Sequence, residues 1–239
     1  IKYREQGDPF GSAYRKKTDD KLDVLPSINA KRILNENSNL RVSLAKTITR
    51  PVAMELLPIN YINADGTSES GNPDLKDSEN YNVDFKYELF PNNKEMFAVG
   101  VFGKMINDPI ERVFKPTANS GGQITTFKNS EQAVIYGAEI EMLFQLSRIN
   151  ESLANFSLGF NTSLMSTDVK IDLKKQGNEL ENSTNRKLQG ASSWLINSDL
   201  KYDFILNKDW KNSMTLVYNV YGDRIFAVGS SGIDHIYEK

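Results

Sequence analysis

Glu139 and Glu141 are the residues whose type and spacing come nearest to catalysis. Carboxylates two positions apart in a strand leave the same face about 6–7 Å apart. That separation is close to the acid and base pair of a glycosidase. No sugar-shaping aromatic cleft is identifiable around them, and such spacing arises readily by chance. His235 is the only histidine and there is no cysteine. Their scarcity nearly rules out a Ser-His-Asp triad or a His-based metal site, and removes disulfides and thiolate metal sites. The oxygen-rich run Asn63-Ala64-Asp65-Gly66-Thr67-Ser68-Glu69 lacks the full spacing of a calcium loop and reads as a solvated turn. Gly121-Gly122 and Gly229-Ser230-Ser231-Gly232 carry no phosphate-cradling pattern. The expectation is a protein that is not an enzyme, with no cofactor and no metal.

The two glutamates belong to a longer pattern that explains them better. Val134, Tyr136, Ala138, Ile140, Met142 and Phe144 alternate with Gly137, Glu139, Glu141 and Gln145. Successive strand side chains point to opposite sides, so the segment has one apolar and one polar face. Tyr81, Val83, Phe85, Tyr87 and Leu89 likewise oppose Asn82, Asp84, Lys86 and Glu88. Ile196, Leu200, Tyr202 and Phe204 oppose Asn197, Asp199, Lys201 and Asp203. Several such stretches run past ten residues, longer than usual for a soluble strand. Gly137 in mid-strand marks a bend, a close backbone approach or merely a tolerated glycine. Met54-Glu55-Leu56-Leu57, close after Pro51, reads as one turn of helix.

Composition narrows the class. The chain has 239 residues, with 29 Lys and Arg against 31 Asp and Glu. No basic surplus argues for nucleic acid. No run of about 18 apolar residues exists, so no membrane helix is present. A membrane strand needs only about 9–11 residues, half of them apolar, and 39% hydrophobic content permits this. The connections alternate. Short turns sit near Asn35–Ser38, Pro91–Glu95, Asn150–Ser152 and Leu206–Asp209; long polar loops span about 51–77, 112–132, 172–191 and the stretch after Gly222. That is the rhythm of an outer-membrane barrel, with brief turns on one side and long loops outside. The sequence therefore predicts an all-β, antiparallel, up-and-down transmembrane β-barrel segment of about eight strands. Asp84, Lys86, Glu88, Glu139, Glu141, Asp199, Lys201 and Asp203 then face a wet interior. There they guide ligand, touch an interior domain or simply form a hydrated wall. Arg50, Asn72 and Arg112 sit at the external loops and are candidates for ligand contact; anchoring of the loops is the simpler role for the two arginines.

Several phrases resemble the barrel of TonB-dependent outer-membrane receptors of the Bacteroidetes type. They are Leu25-Pro26-Ser27-Ile28-Asn29, Thr47-Ile48-Thr49-Arg50-Pro51, Gly71-Asn72-Pro73-Asp74-Leu75-Lys76, Asn107-Asp108-Pro109-Ile110-Glu111 and Tyr136-Gly137-Ala138-Glu139-Ile140-Glu141. Their order over roughly residues 22–146 carries the resemblance. It implies a barrel of about 22 strands around an N-terminal plug, of which residues 1–239 would be an internal piece without plug or closing strands. It further implies a place in the bacterial outer membrane and active uptake of a scarce nutrient such as a ferric siderophore, cobalamin, oligosaccharide or peptide. The implied partners are outer-membrane lipid, the chain's own plug, the TonB complex through the N-terminal part and a surface lipoprotein. The alternative from another class is a secreted soluble β-sandwich that binds glycans or adheres to surfaces, its apolar rows packed on each other as a core.

Overall fold

Eight long strands carry the alternation: β1 (Ser27–Asn35), β2 (Ser38–Thr49), β3 (Ser78–Asn92), β4 (Glu95–Asn107), β5 (Gln132–Gln145), β6 (Phe156–Lys170), β7 (Trp194–Asn207) and β8 (Trp210–Tyr221). The computed structural model describes residues 2–4, 14–16, 22–62, 67–116, 123–171, 184–207, 210–229 and 233–238. The oxygen-rich stretch at 63–66, Gly121-Gly122 and most of the 172–191 loop lie outside the described residues. Each long strand pairs antiparallel with the next in chain order, so the sheet is an up-and-down meander. The strand β3 starts at Ser78, four residues after the Gly71-Asn72-Pro73-Asp74 run, whose Gly, Asn and Pro favour a turn.

Register converts alternation into two continuous faces. Ala30, Val42, Phe85, Val101, Ala138, Leu164 and Trp194 lie opposite one another across β1 to β7. One residue along each strand, the row becomes Lys31, Arg41, Lys86, Gly100, Glu139, Ser163 and Leu195. A slip of one residue in β1, β2, β3 or β5 can place Lys31, Arg41, Asp84, Lys86 or Glu139 in the apolar row, which helps pin the pairing. The apolar face is bare: Val101 is 54% and Leu164 64% exposed. A sandwich would bury this row, and nothing among the described residues covers it. The sandwich alternative therefore lacks the second sheet it needs.

The short turns form for a local reason. The Asn35 side-chain oxygen accepts from the Asn37 N–H, that of Asn92 from Lys94, and that of Asn150 from Ser152, all at 2.8–2.9 Å. Each asparagine imitates a backbone turn two residues on. Just inside one turn, Glu95 collects Arg148 Nε at 2.9 Å, Asn92 Nδ2 at 2.6 Å and the Gln145 N–H at 3.3 Å.

The long connections contain more structure than their polarity implies. The helical turn is there, at Ala53–Leu56. Strands Asn60–Ile62, Ser68–Ser70, Gln123–Asn129 and Ile110–Pro116 form a separate four-stranded sheet in that order. Thus much of the predicted 112–132 loop is a hairpin, launched where Asp108 takes a φ of 51° before Pro109. Aspartate tolerates that left-handed turn better than most residues. Arg224–Ala227 pairs with Ile236–Glu238 in a further small hairpin.

Candidate functional site

The polar face of the sheet brings together the charged residues that the alternation singles out. Lys86 on β3 and Glu139 on β5 are two strands apart, about 10 Å between backbones. They meet because Gly100 lies between them in register. A Cβ on Gly100 would stand 3.1 Å from Glu139 Cγ, so the missing side chain is the space through which Glu139 leans. Lys86 Nζ sits 3.0 Å from Glu139 Oε1 and 2.8 Å from Glu141 Oε1. Both carboxylates are committed to one ammonium, an arrangement of a wall and not of an acid and base flanking a sugar. On the neighbouring pair of strands, Arg41 Nε donates to both Glu88 oxygens at 2.8 Å. Arg41, Asp84, Lys86, Glu88 and Glu139 line one shallow hollow of about 310 Å³.

The other wall candidates lie apart from this group. Lys201 pairs with Asp203 on its own strand at 2.9 Å, and the Asp199 carboxylate lies over Gly159 of β6, in the space a Cβ would occupy. Gly137 proves to be a close approach: a Cβ there would run into the Leu164 carbonyl and stand 2.7 Å from the Phe102 ring. Asn161 and Asn197 bond side chain to side chain at 2.7 Å, continuing the polar lining.

At the other end of the strands, the loop candidates hold loops to one another. Arg112 pairs with Glu69 at 3.1 Å and lies between the Phe127 and Phe226 rings, 5.6 and 5.0 Å from their centroids. Asn72 donates to the Phe127 carbonyl at 2.8 Å, while its side-chain oxygen accepts from Asp74 at 2.9 Å. Arg50 reaches Asp23 at 2.9 Å and Asp77 at 3.6 Å. His235 Nδ1 accepts from the Gly229 N–H at 3.1 Å. In the same cluster Tyr61 donates to the Met54 carbonyl, and burial, followed by the Glu69 charge, pushes its phenol above the ordinary value.

The strongest polar unit in this cluster is one that the alternation does not mark. Arg186 Nη1 and Nη2 donate to the two oxygens of Glu111 at 2.7 Å each. These side chains are only 3% and 1% exposed. Ser130 Oγ also donates to Glu111 and accepts from Arg186 Nη2 at 3.2 Å. Gln189 donates its N–H to Glu111 at 3.2 Å and accepts from the Arg112 N–H at 2.6 Å. Two small apolar clusters form among the same loops: Leu56, Leu75 and Phe127, and Val113, Ile225 and Val228. Glu111 and Arg186 lie 75 residues apart, and nothing local in either stretch signals the pairing.

Comparison with known proteins places this geometry. Residues 4–231 match the outer membrane protein beta-barrel family. The siderophore receptor PirA from Pseudomonas aeruginosa aligns over 85% of this chain and 36% of its own, with 16% identity and a TM-score of 0.50. PirA from Acinetobacter baumannii aligns over 84% of this chain and 29% of its own, with 19% identity and a TM-score of 0.50. The copper transporter OprC aligns over 84% of this chain and 27% of its own, with 17% identity and a TM-score of 0.54. The chain thus spans about a third of the length of these structures, and the likeness is one of fold. No curated protein matches the chain.

Proposed function

This chain belongs to the outer membrane protein beta-barrel family, and so to the bacterial outer membrane, and from that premise we propose that it is wall and external loops of a TonB-dependent transporter. In this reading the loops meet a scarce nutrient, a plug from the chain's N-terminal side fills the lumen, and the TonB complex drives release inward. The observation that carries it is the polar face. Lys86 is shared by Glu139 and Glu141, and Arg41 is paired with Glu88, so these charges are engaged with one another across the wall. A wall so paired suits an interior domain that must slide or unfold past it, whereas an open pore selecting ions would keep one sign of charge free. The likeness in fold to a siderophore receptor and a copper transporter supports the same reading.

The roles follow residue by residue. Asp84, Lys86, Glu88, Glu139, Glu141, Asp199 and Lys201 contact the plug or passing ligand. Arg50, Asn72 and Arg112 set the shape of the loop platform, on which a surface lipoprotein is a further possible partner. Ferric siderophore, cobalamin, oligosaccharide and peptide are the ligand classes to be screened. The test is uptake by cells carrying the full-length gene product. Accumulation that stops on collapse of the proton-motive force or removal of TonB supports the proposal. Uptake indifferent to both makes the barrel a passive pore and sinks it.

A further inference from the structure

The bare apolar face contains a groove of about 620 Å³ that the transport reading does not use. It follows one register row: Ile28, Leu44, Val83, Gly103 and Tyr136, each opposite the next on β1 to β5. The floor is Gly103, where a side chain is missing from an otherwise bulky row. A Cβ there would stand 3.2 Å from Val83 Cγ1, so Val83 and Tyr136 rise on either side of a gap. Five adjacent strands span four spacings, about 19 Å. In β2 to β5 the row lies four to five residues inside the loop ends of the strands, at Thr49, Ser78, Asn107 and Gln132. With strands tilted at about 45°, that is roughly 10 Å below the loop-side rim, within the nearer half of a hydrocarbon core about 30 Å thick. One row nearer the loops, Lys46 Nζ is held 3.1 Å from Glu79 and 5.4 Å from the Tyr81 ring centroid, which sets a polar mouth on the loop side of the groove.

We propose that this groove is a binding site for one acyl chain of a bilayer lipid from the loop-side leaflet. The occupant follows from the surroundings: the groove is continuous with the face that a member of this family turns to the membrane, its lining side chains are almost wholly apolar, and its length suits a chain lying obliquely across one leaflet. The site is independent of what the barrel carries.

The experiment is native mass spectrometry of the full-length protein, delipidated and then supplied with lipid A, the acylated lipid of the external leaflet of a bacterial outer membrane. The wild type retains one lipid under activation that strips the rest. Gly103→Leu fills the floor and lowers that retained population by about tenfold or more. Val101→Leu, on the same face but outside the groove, leaves it unchanged. Should Gly103→Leu lose the heat-modifiable mobility of a folded barrel, Val83→Phe closes the gap from its wall and is read in the same way. Equal retention by wild type and filled variant overturns the proposal. So does a detergent-stable dimer that the wild type forms and the filled variant does not, which would make the occupant a second copy.

Discussion

Replacing Arg186 by methionine leaves the Glu111 carboxylate buried with its main partner gone. The side chains are 3% and 1% exposed, so water cannot take the place of the guanidinium without opening the cluster. Removing one member of such a pair costs about 3–5 kcal/mol. Ser130 and Gln189 still donate to Glu111, so the lower end applies. At 1.4 kcal/mol per decade, that is roughly a hundredfold rise in local opening. The assay is hydrogen exchange of the full-length protein in detergent or bilayer, read at loop amides. Gln189, whose N–H bonds Glu111, and Gly190, whose N–H bonds the Ile225 carbonyl at 2.9 Å, are the reporters. Amides in β5 serve as the internal reference and should not change. The triple replacement Glu111→Leu, Ser130→Ala, Arg186→Met removes the charges together, and most of the protection should return, because apolar replacement of a whole buried pair is often neutral. Wild-type protection in Arg186→Met, or a triple variant no better than the single, would refute the reasoning.

Three further outcomes test the two faces and the turns. Val101→Arg, in the middle of the bare apolar row, should cost about 2–4 kcal/mol in urea unfolding from bilayers, while Ser163→Arg on the polar face should stay within about 0.5 kcal/mol; equal costs would mean that the faces are misassigned. Gly100→Leu should displace Glu139 and cost about 1 kcal/mol, the low end for overpacking in a half-open site, and Glu139→Ala in the same chain should relieve it. Asn150→Ala should cost about 1 kcal/mol by removing the acceptor for the Ser152 N–H, seen as a lower urea midpoint with unchanged slope.

The wall was legible because each strand carries its own evidence. Period-two alternation in Tyr81–Leu89 or Val134–Phe144 assigns every residue to a face without knowledge of the neighbours, and the asparagines at 35, 92 and 150 mark the turns that set register. What alternation cannot provide is which residues meet across strands. Lys86 joins Glu139 and not a residue of the adjacent strand, because Gly100 leaves a hole between them. That fact combines three strands and appears in none of them. The loop sheet was missed for a related reason. Ile110–Pro116 and Gln123–Asn129 are short and rich in polar residues, and they are ordered by pairing with each other and with Ser68–Ser70. Their β-propensity, visible in Ile124-Thr125-Thr126-Phe127, was the available signal.

The two kinds of ion pair divide the labour of the molecule. On the polar wall, Lys86, Glu139 and Glu141 are about one third exposed, and Lys201 and Asp203 more so. Such wet pairs contribute little stability and exchange partners at small cost. That is the property a surface needs if an interior domain is to move along it. Glu111 and Arg186 are dry, bidentate and tied to Ser130 and Gln189, so they cannot exchange without exposing a charge. The pair joins the hairpin after β4 to the segment before β7, and Gln189 carries the link on through Arg112 toward Phe226. Loops anchored in this way form a surface of fixed shape, which lowers the ordering cost of meeting a ligand. In the transport reading proposed above, the motion would then have to come from what fills the barrel, not from this part of its rim.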